Sequence, residues 1–121
     1  MTHIKLGLLT LLALVASSVT LVAVAHSAAT AQTVRVTEVS YGIRLSAKPK
    51  AGTVKFQIRN GSDDAHDFWL KGGGRTWRTR TLGESQTASL TANLKKGVRY
   101  RFWCSIGDHR EEGMAGSFVA R

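Results

Sequence analysis

At 121 residues the chain has room for one domain of ordinary size, and its single cysteine excludes an internal disulfide. Its 17 basic side chains against 8 acidic ones favour contact with acidic surfaces. For an exported chain this means an acidic redox protein or an anionic lipid surface rather than nucleic acid. Plain solubility is an equally good reading of the same charge.

The start carries the marks of export. Met1–Lys5 holds one positive charge, Leu6–Ala25 holds none and is rich in Leu, Val and Ala, and Ala29-Thr30-Ala31 offers a small-x-small cleavage site. Residues 1–31 are therefore expected to be a signal peptide. The alternative is an uncleaved membrane anchor, since the apolar stretch approaches the ~20 residues of a spanning helix. Either way the remainder, Gln32–Arg121, faces an extracytoplasmic compartment, periplasmic or secreted. That remainder has 90 residues and, without Lys5, 16 basic and 8 acidic side chains, a net charge of +8. A domain this short is marginal unless something such as a bound metal supports it.

Beyond residue 31 the pattern is short and alternating, which predicts strands. Val34 and Val36, then Ile43 and Leu45, then Val54, Phe56 and Ile58 alternate with polar neighbours. Phe68-Trp69-Leu70 is a short apolar run. Arg75–Thr81, basic and rich in Thr, suits an edge strand, with Arg75, Arg78 and Arg80 expected on one face. Thr87–Leu94 alternates weakly. Val98, Tyr100, Phe102 and Cys104 share a face, with Arg99, Arg101 and Trp103 opposite, and Gly116–Val119 closes the chain. Turn signals at 49–52, 60–64, 72–74 and 95–97 separate these runs. The pattern predicts one all-β domain, a sandwich or barrel.

The lone cysteine could pair between chains, lie buried and inert, or bind a metal. Its surroundings favour the metal. From Cys104 to His109 to Met114, four residues separate each neighbouring pair. Strand alternation points Cys104 into the core. Thiolate and thioether select copper, and imidazole suits it. Two histidines, one cysteine and a weak axial Met make a trigonal blue-copper site. The second imidazole falls to His66, because residues 32–121 hold only His66 and His109.

Cys-x4-His-x4-Met near the C-terminus, with a His about forty residues upstream, resembles the cupredoxin family of plastocyanins, amicyanins and azurins. Leu94–Cys104, with Gly97-x-x-Tyr100 ahead of an alternating strand, is similar to the strand leading into that family's cysteine. The resemblance spans Val34–Val119. It implies a Greek-key β-sandwich of seven to eight strands holding one type 1 copper ion, Cu(I)/Cu(II), on His66, Cys104, His109 and Met114. His66 would be the buried imidazole, Cys104 the thiolate, His109 the histidine near the surface and Met114 the weak axial donor. Asp67 stands where the family often has Asn or Ser, whose contacts tie the first ligand's loop to the cysteine loop. The family's ligand-loop proline is absent, replaced by the stretch at Gly107 and Asp108.

The function implied is single-electron transfer, by a monomer, between redox proteins with acidic docking surfaces. A copper carrier using the same ligands, and a metal-free module binding through its basic face, are the rivals. No general base or substrate motif is evident, so enzymatic activity is not expected. Trp103, next to the cysteine, is either a packed surface ring or a second exit for electrons. Trp69 and Trp77 are expected to pack. Glu111 and Glu112 are expected to be solvated.

Overall fold

A computed structural model describes residues 21–23 and 29–121. The export signal expected over residues 1–31 therefore lies almost entirely outside the described residues. Among those described, no helix is long and apolar enough to cross a membrane.

Eight strands follow one another: β1 (Gln32–Val39), β2 (Gly42–Leu45), β3 (Gly52–Asn60), β4 (Trp69–Gly72), β5 (Arg75–Arg78), β6 (Thr87–Leu94), β7 (Arg99–Trp103) and β8 (Ala115–Val119). They form two four-stranded sheets, ordered β2-β1-β3-β6 and β5-β4-β7-β8. β1 and β3 pair in parallel and every other pairing is antiparallel. β5 is an edge strand, as its charge predicts.

The alternating apolar residues make the core. Val34, Val36, Val54, Phe56, Ile58, Leu90, Ala92 and Leu94 of the first sheet are buried against Leu70, Tyr100, Phe102 and Phe118 of the second. Aromatic rings bridge the sheets: Phe56 lies 6.1 Å from Phe68, and Phe68 stacks 6.0 Å from Phe102. Each buried large side chain is worth roughly 1.5–3 kcal/mol, so this continuous core is the main support of the fold. Tyr100 turns its hydroxyl to the Lys95 backbone N–H, 2.9 Å away, and so pins the turn before β7.

Register decides where the functional residues meet. β1 and β3 finish together, with Glu38 opposite Asn60. β7 finishes where β8 and β4 begin, with Trp103 opposite both Ala115 and Trp69. The connections β3–β4 and β7–β8 follow from these strand ends.

Candidate metal centre

Three side chains converge from two connections. The inward parity of β7 buries Tyr100 and Phe102, and the next residue in that series, Cys104, has no exposed surface. His66, also without exposed surface, is fastened by a two-residue bridge to Leu82, with N–H···O contacts of 3.0 and 2.7 Å. His109 sits in the turn after Cys104 and is half-buried. That turn lacks proline but is closed by backbone bonds, including His109 N–H to Ile106 O (3.1 Å) and Glu112 N–H to Asp108 O (3.0 Å). Met114 is fully buried, and its backbone ties the two ends of the turn. Its N–H donates to His109 O (2.9 Å) and its C=O accepts from Cys104 N–H (3.0 Å). Gly113 permits this closure: at φ 122°, a Cβ there would stand 2.9 Å from the Tyr41 carbonyl oxygen.

The donor atoms form a small triangle. His66 Nδ1 lies 3.1 Å from His109 Nδ1, and Cys104 Sγ lies 3.8 and 3.7 Å from them. Taking zinc bond lengths as a guide, about 2.0 Å to nitrogen and about 2.3 Å to sulfur, a trigonal ion separates its ligands by about 3.5 Å (N–N) and about 3.7 Å (N–S). The sulfur edges match this and the nitrogen edge is slightly tight, so the three residues fit one first-row ion. Met114 lies at the closure of the same loop.

Surrounding groups orient the donors. Ser62 Oγ donates to Asn60 Oδ1 (3.2 Å) and so accepts from His66 Nε2 (2.7 Å). Nδ1 of His66 is then left with its lone pair toward Cys104 and His109. Asn60 is held in turn by its amide donating to Asp64 O and Leu82 O, 2.6 and 2.9 Å away. Burial holds the His66 pKa below the usual imidazole value, and the neighbouring His109 adds to this against the pull of Asp64 and Asp67. His66 is thus kept neutral, the form that ligates metal. Burial pushes the Cys104 thiol up, opposed by the backbone N–H groups of Asp67 and Ile106; Asp67 and Glu38 add smaller upward contributions. A cation among these donors reverses that balance and releases the thiol proton.

Asp67 forms the tie expected of an amide or a hydroxyl, and its carboxylate makes it threefold. It accepts from Ser105 N–H and Ser105 Oγ, both at 2.6 Å, and from Trp69 Nε1 at 2.8 Å. The His66 connection and the Cys104 connection are thereby fixed to each other.

On the outer face of the second sheet Trp69 stacks on Trp103 at 5.8 Å, with Arg78 over one ring and Arg110 over the other. Trp77 packs against the core, as expected. The expectation that Arg75, Arg78 and Arg80 share one face is corrected. Arg75 and Arg78 are three apart, so strand alternation sends them to opposite faces: Arg75 lies over Trp77 and Arg78 over Trp69. Arg80 lies beyond β5, bonded to Thr81 O and Gln86 Oε1. Glu111 and Glu112 are exposed, as expected.

Three buried polar residues at this end of the fold escape a reading for ligands. Asn60 and Ser62 lie in a stretch that signals only a turn. Glu38 shares the parity of buried Val34 and Val36, and a charged residue at a core position was the sign available.

No protein-family model matches the chain, and no curated protein sequence does. Solved structures do match in shape. The dithionite-reduced auracyanin of Roseiflexus castenholzii is 16% identical, with a TM-score of 0.63 over 75% of this chain and 98% of its own. Auracyanin A of Chloroflexus aurantiacus, described as a "blue" copper protein, is 16% identical, with a TM-score of 0.62 over 74% and 98%. Auracyanin B is 18% identical, with a TM-score of 0.61 over 75% and 89%. The two-sheet, eight-stranded sandwich is therefore the cupredoxin-like fold that the family resemblance implied.

Proposed function

We propose that the protein is a single-electron carrier holding one copper ion on His66, Cys104 and His109, with Met114 as the weak fourth donor. The observation that carries this is the triangle of two imidazole nitrogens and one thiol sulfur, 3.1–3.8 Å on its edges, with His66 and Cys104 buried and two connections tied together around it. The likeness in shape to auracyanin A, described as a blue copper protein, supports it. Bound copper would supply one-electron exchange between Cu(I) and Cu(II).

The chain's own residues supply the rest. Ser62 and Asn60 fix the orientation of His66, and Asp67 fixes the Cys104 connection to the His66 connection. Donors held this way shift little between charge states, which keeps reorganisation small. Burial of Cys104 excludes water from the sulfur. His109, half-buried, offers the shortest way out to solvent among the three. Lys71, Arg99, Arg101 and Arg110 surround Trp103, and this basic face would receive an acidic redox partner of a monomeric protein. The N-terminal apolar stretch supports an extracytoplasmic setting, periplasmic or secreted, with anchoring as its alternative.

The test is redox cycling of the copper-loaded protein in the presence of a competing chelator. Repeated reversible bleaching and recovery, with copper retained in both states, is the expected result. Surrender of the ion to the chelator on each reduction would overturn electron transfer in favour of copper carriage.

A further inference from the structure

Charge is divided between the two ends of the sandwich. All eight acidic residues lie at the donor end, in Glu38 near the close of β1 and in the connections 61–68, 79–86 and 104–114. The middle connection belongs to that end because Leu82 bridges His66 and the Ser85 N–H bonds to Asn60 O at 3.0 Å.

The opposite end carries cations and no acid. It is formed by the start of β1, the β2–β3 and β6–β7 connections and the C-terminus, which are tied to one another. Lys50 N–H donates to Gln32 Oε1 (2.8 Å), Ala51 N–H to Arg121 O (2.9 Å) and Gly97 N–H to Ala120 O (2.8 Å). Lys48, Lys50, Lys95, Lys96 and Arg121 are all exposed there. Net charge alone keeps a protein soluble and does not require the signs to separate. The length of β1, roughly 25 Å at ~3.3 Å per residue, stands between the two ends. That is about three Debye lengths at physiological salt, so the acidic end does not cancel the attraction felt at the basic one.

The path of the chain selects the partner. The uncharged apolar stretch Leu6–Ala25 lies upstream of Gln32, and Gln32 is itself at the cationic end. Six residues separate Ala25 from Gln32, a reach of at most about 25 Å. Any membrane that holds this stretch therefore lies within reach of the lysines of this end.

We propose that this cationic pole docks on an anionic lipid surface and so turns the donor end away from the membrane. Cations near such a surface each strengthen binding about fivefold. The basic face around Trp103 stays free at the side of the molecule for a protein partner. The inference does not rest on the copper reading, since it uses only the placement of charge and chain.

The test measures binding of the full chain to vesicles of phosphatidylcholine, with and without phosphatidylglycerol. The anionic vesicles should bind more tightly, and this preference should vanish at about 1 M salt. Lys95→Gln with Lys96→Gln should weaken anionic binding about twenty-five-fold and leave neutral binding unchanged. Arg44→Gln with Arg59→Gln removes the same charge from exposed positions on the first sheet, in the half nearer the donor end. That pair should change binding by less than about threefold. Equal losses in the two pairs, or no preference for anionic vesicles, would overturn the proposal. Tighter binding to poly-glutamate than to anionic vesicles would overturn it in favour of an acidic protein.

A second measurement needs no substitution and holds even where the apolar stretch dominates affinity. Lysine acetylation of the vesicle-bound protein, read by mass spectrometry, should be suppressed at Lys48, Lys50, Lys95 and Lys96 but not at Lys55. Uniform protection, or none, would contradict the orientation.

Discussion

Asp67 accepts hydrogen bonds from Trp69 and twice from Ser105, whereas the side chain of Glu38, on β1 at the same end of the sandwich, accepts none among the described residues. Both are buried carboxylates at the end of the sandwich that carries the candidate donors. Asp67 welds the two connections through hydrogen bonds alone. Glu38 costs stability unless it is protonated. The metal-free fold thus carries one support and one liability, and the two can be separated experimentally.

The largest expected effect belongs to Glu38 and to pH. Burial, aided by the charge of Asp67, raises its carboxyl from 4.5 to about 7. The folded metal-free protein therefore holds a proton that the unfolded chain gives up. The stability this lends is complete below the unfolded value and is lost as pH rises through about 7. Its ceiling is about 3 kcal/mol, from roughly 1.4 kcal/mol per pKa unit. His66 runs the other way, because its pKa is lowered: its contribution is present above 6.5 and lost as pH falls below that. Comparing the native chain with Glu38→Gln isolates the glutamate. In urea unfolding of the metal-free forms, the variant should gain on the native chain between pH 5 and pH 8. A gain that does not depend on pH would break the contrast with Asp67.

Asp67→Ala comes next. Removing the acceptor strands the Ser105 and Trp69 donors, at a cost of about 2–3 kcal/mol because both residues are partly open to water. Asp67→Asn, which keeps one carbonyl acceptor, should lose about half as much. Urea midpoints measure both, and an unchanged midpoint for Asp67→Ala would deny the weld.

Ser62→Ala should leave stability within about 1 kcal/mol but weaken metal affinity about tenfold, since His66 loses the partner that sets its tautomer. Competition titration separates this from the Asp67 effect, which is chiefly on the fold. The smallest change is Arg110→Ala. It uncovers Trp103 and should cost about 0.5–1 kcal/mol in thermal or urea unfolding.

Much of this was legible in the residues and some was not, for physical reasons. Alternation reports which face a side chain takes, so the inward set from Val34 to Phe118 and the inward aim of Cys104 could be read directly. Alternation is silent on which strands are neighbours. The parallel pairing of β1 with β3, which brings Glu38 to Asn60, depends on contacts far apart in the chain. The candidate donors were readable because each is a rare residue type in the chain beyond residue 31. The bracing of His66 was hidden because Asn60 and Ser62 are also ordinary turn residues. The arginines of 75–80 were misplaced by treating a spacing of three as though it were two. The Asp67 weld was visible as a position but not as three bonds, since the partners of a carboxylate depend on the fold around it.

The most direct test of the metal centre adds one equivalent of Cu(II) to the purified, reduced protein and records the visible spectrum. An intense thiolate-to-copper band that saturates at one equivalent and vanishes in Cys104→Ser is the expected result. A native spectrum without that band, or a band that survives the loss of Cys104, would contradict the assignment of His66, Cys104, His109 and Met114 as a blue-copper site.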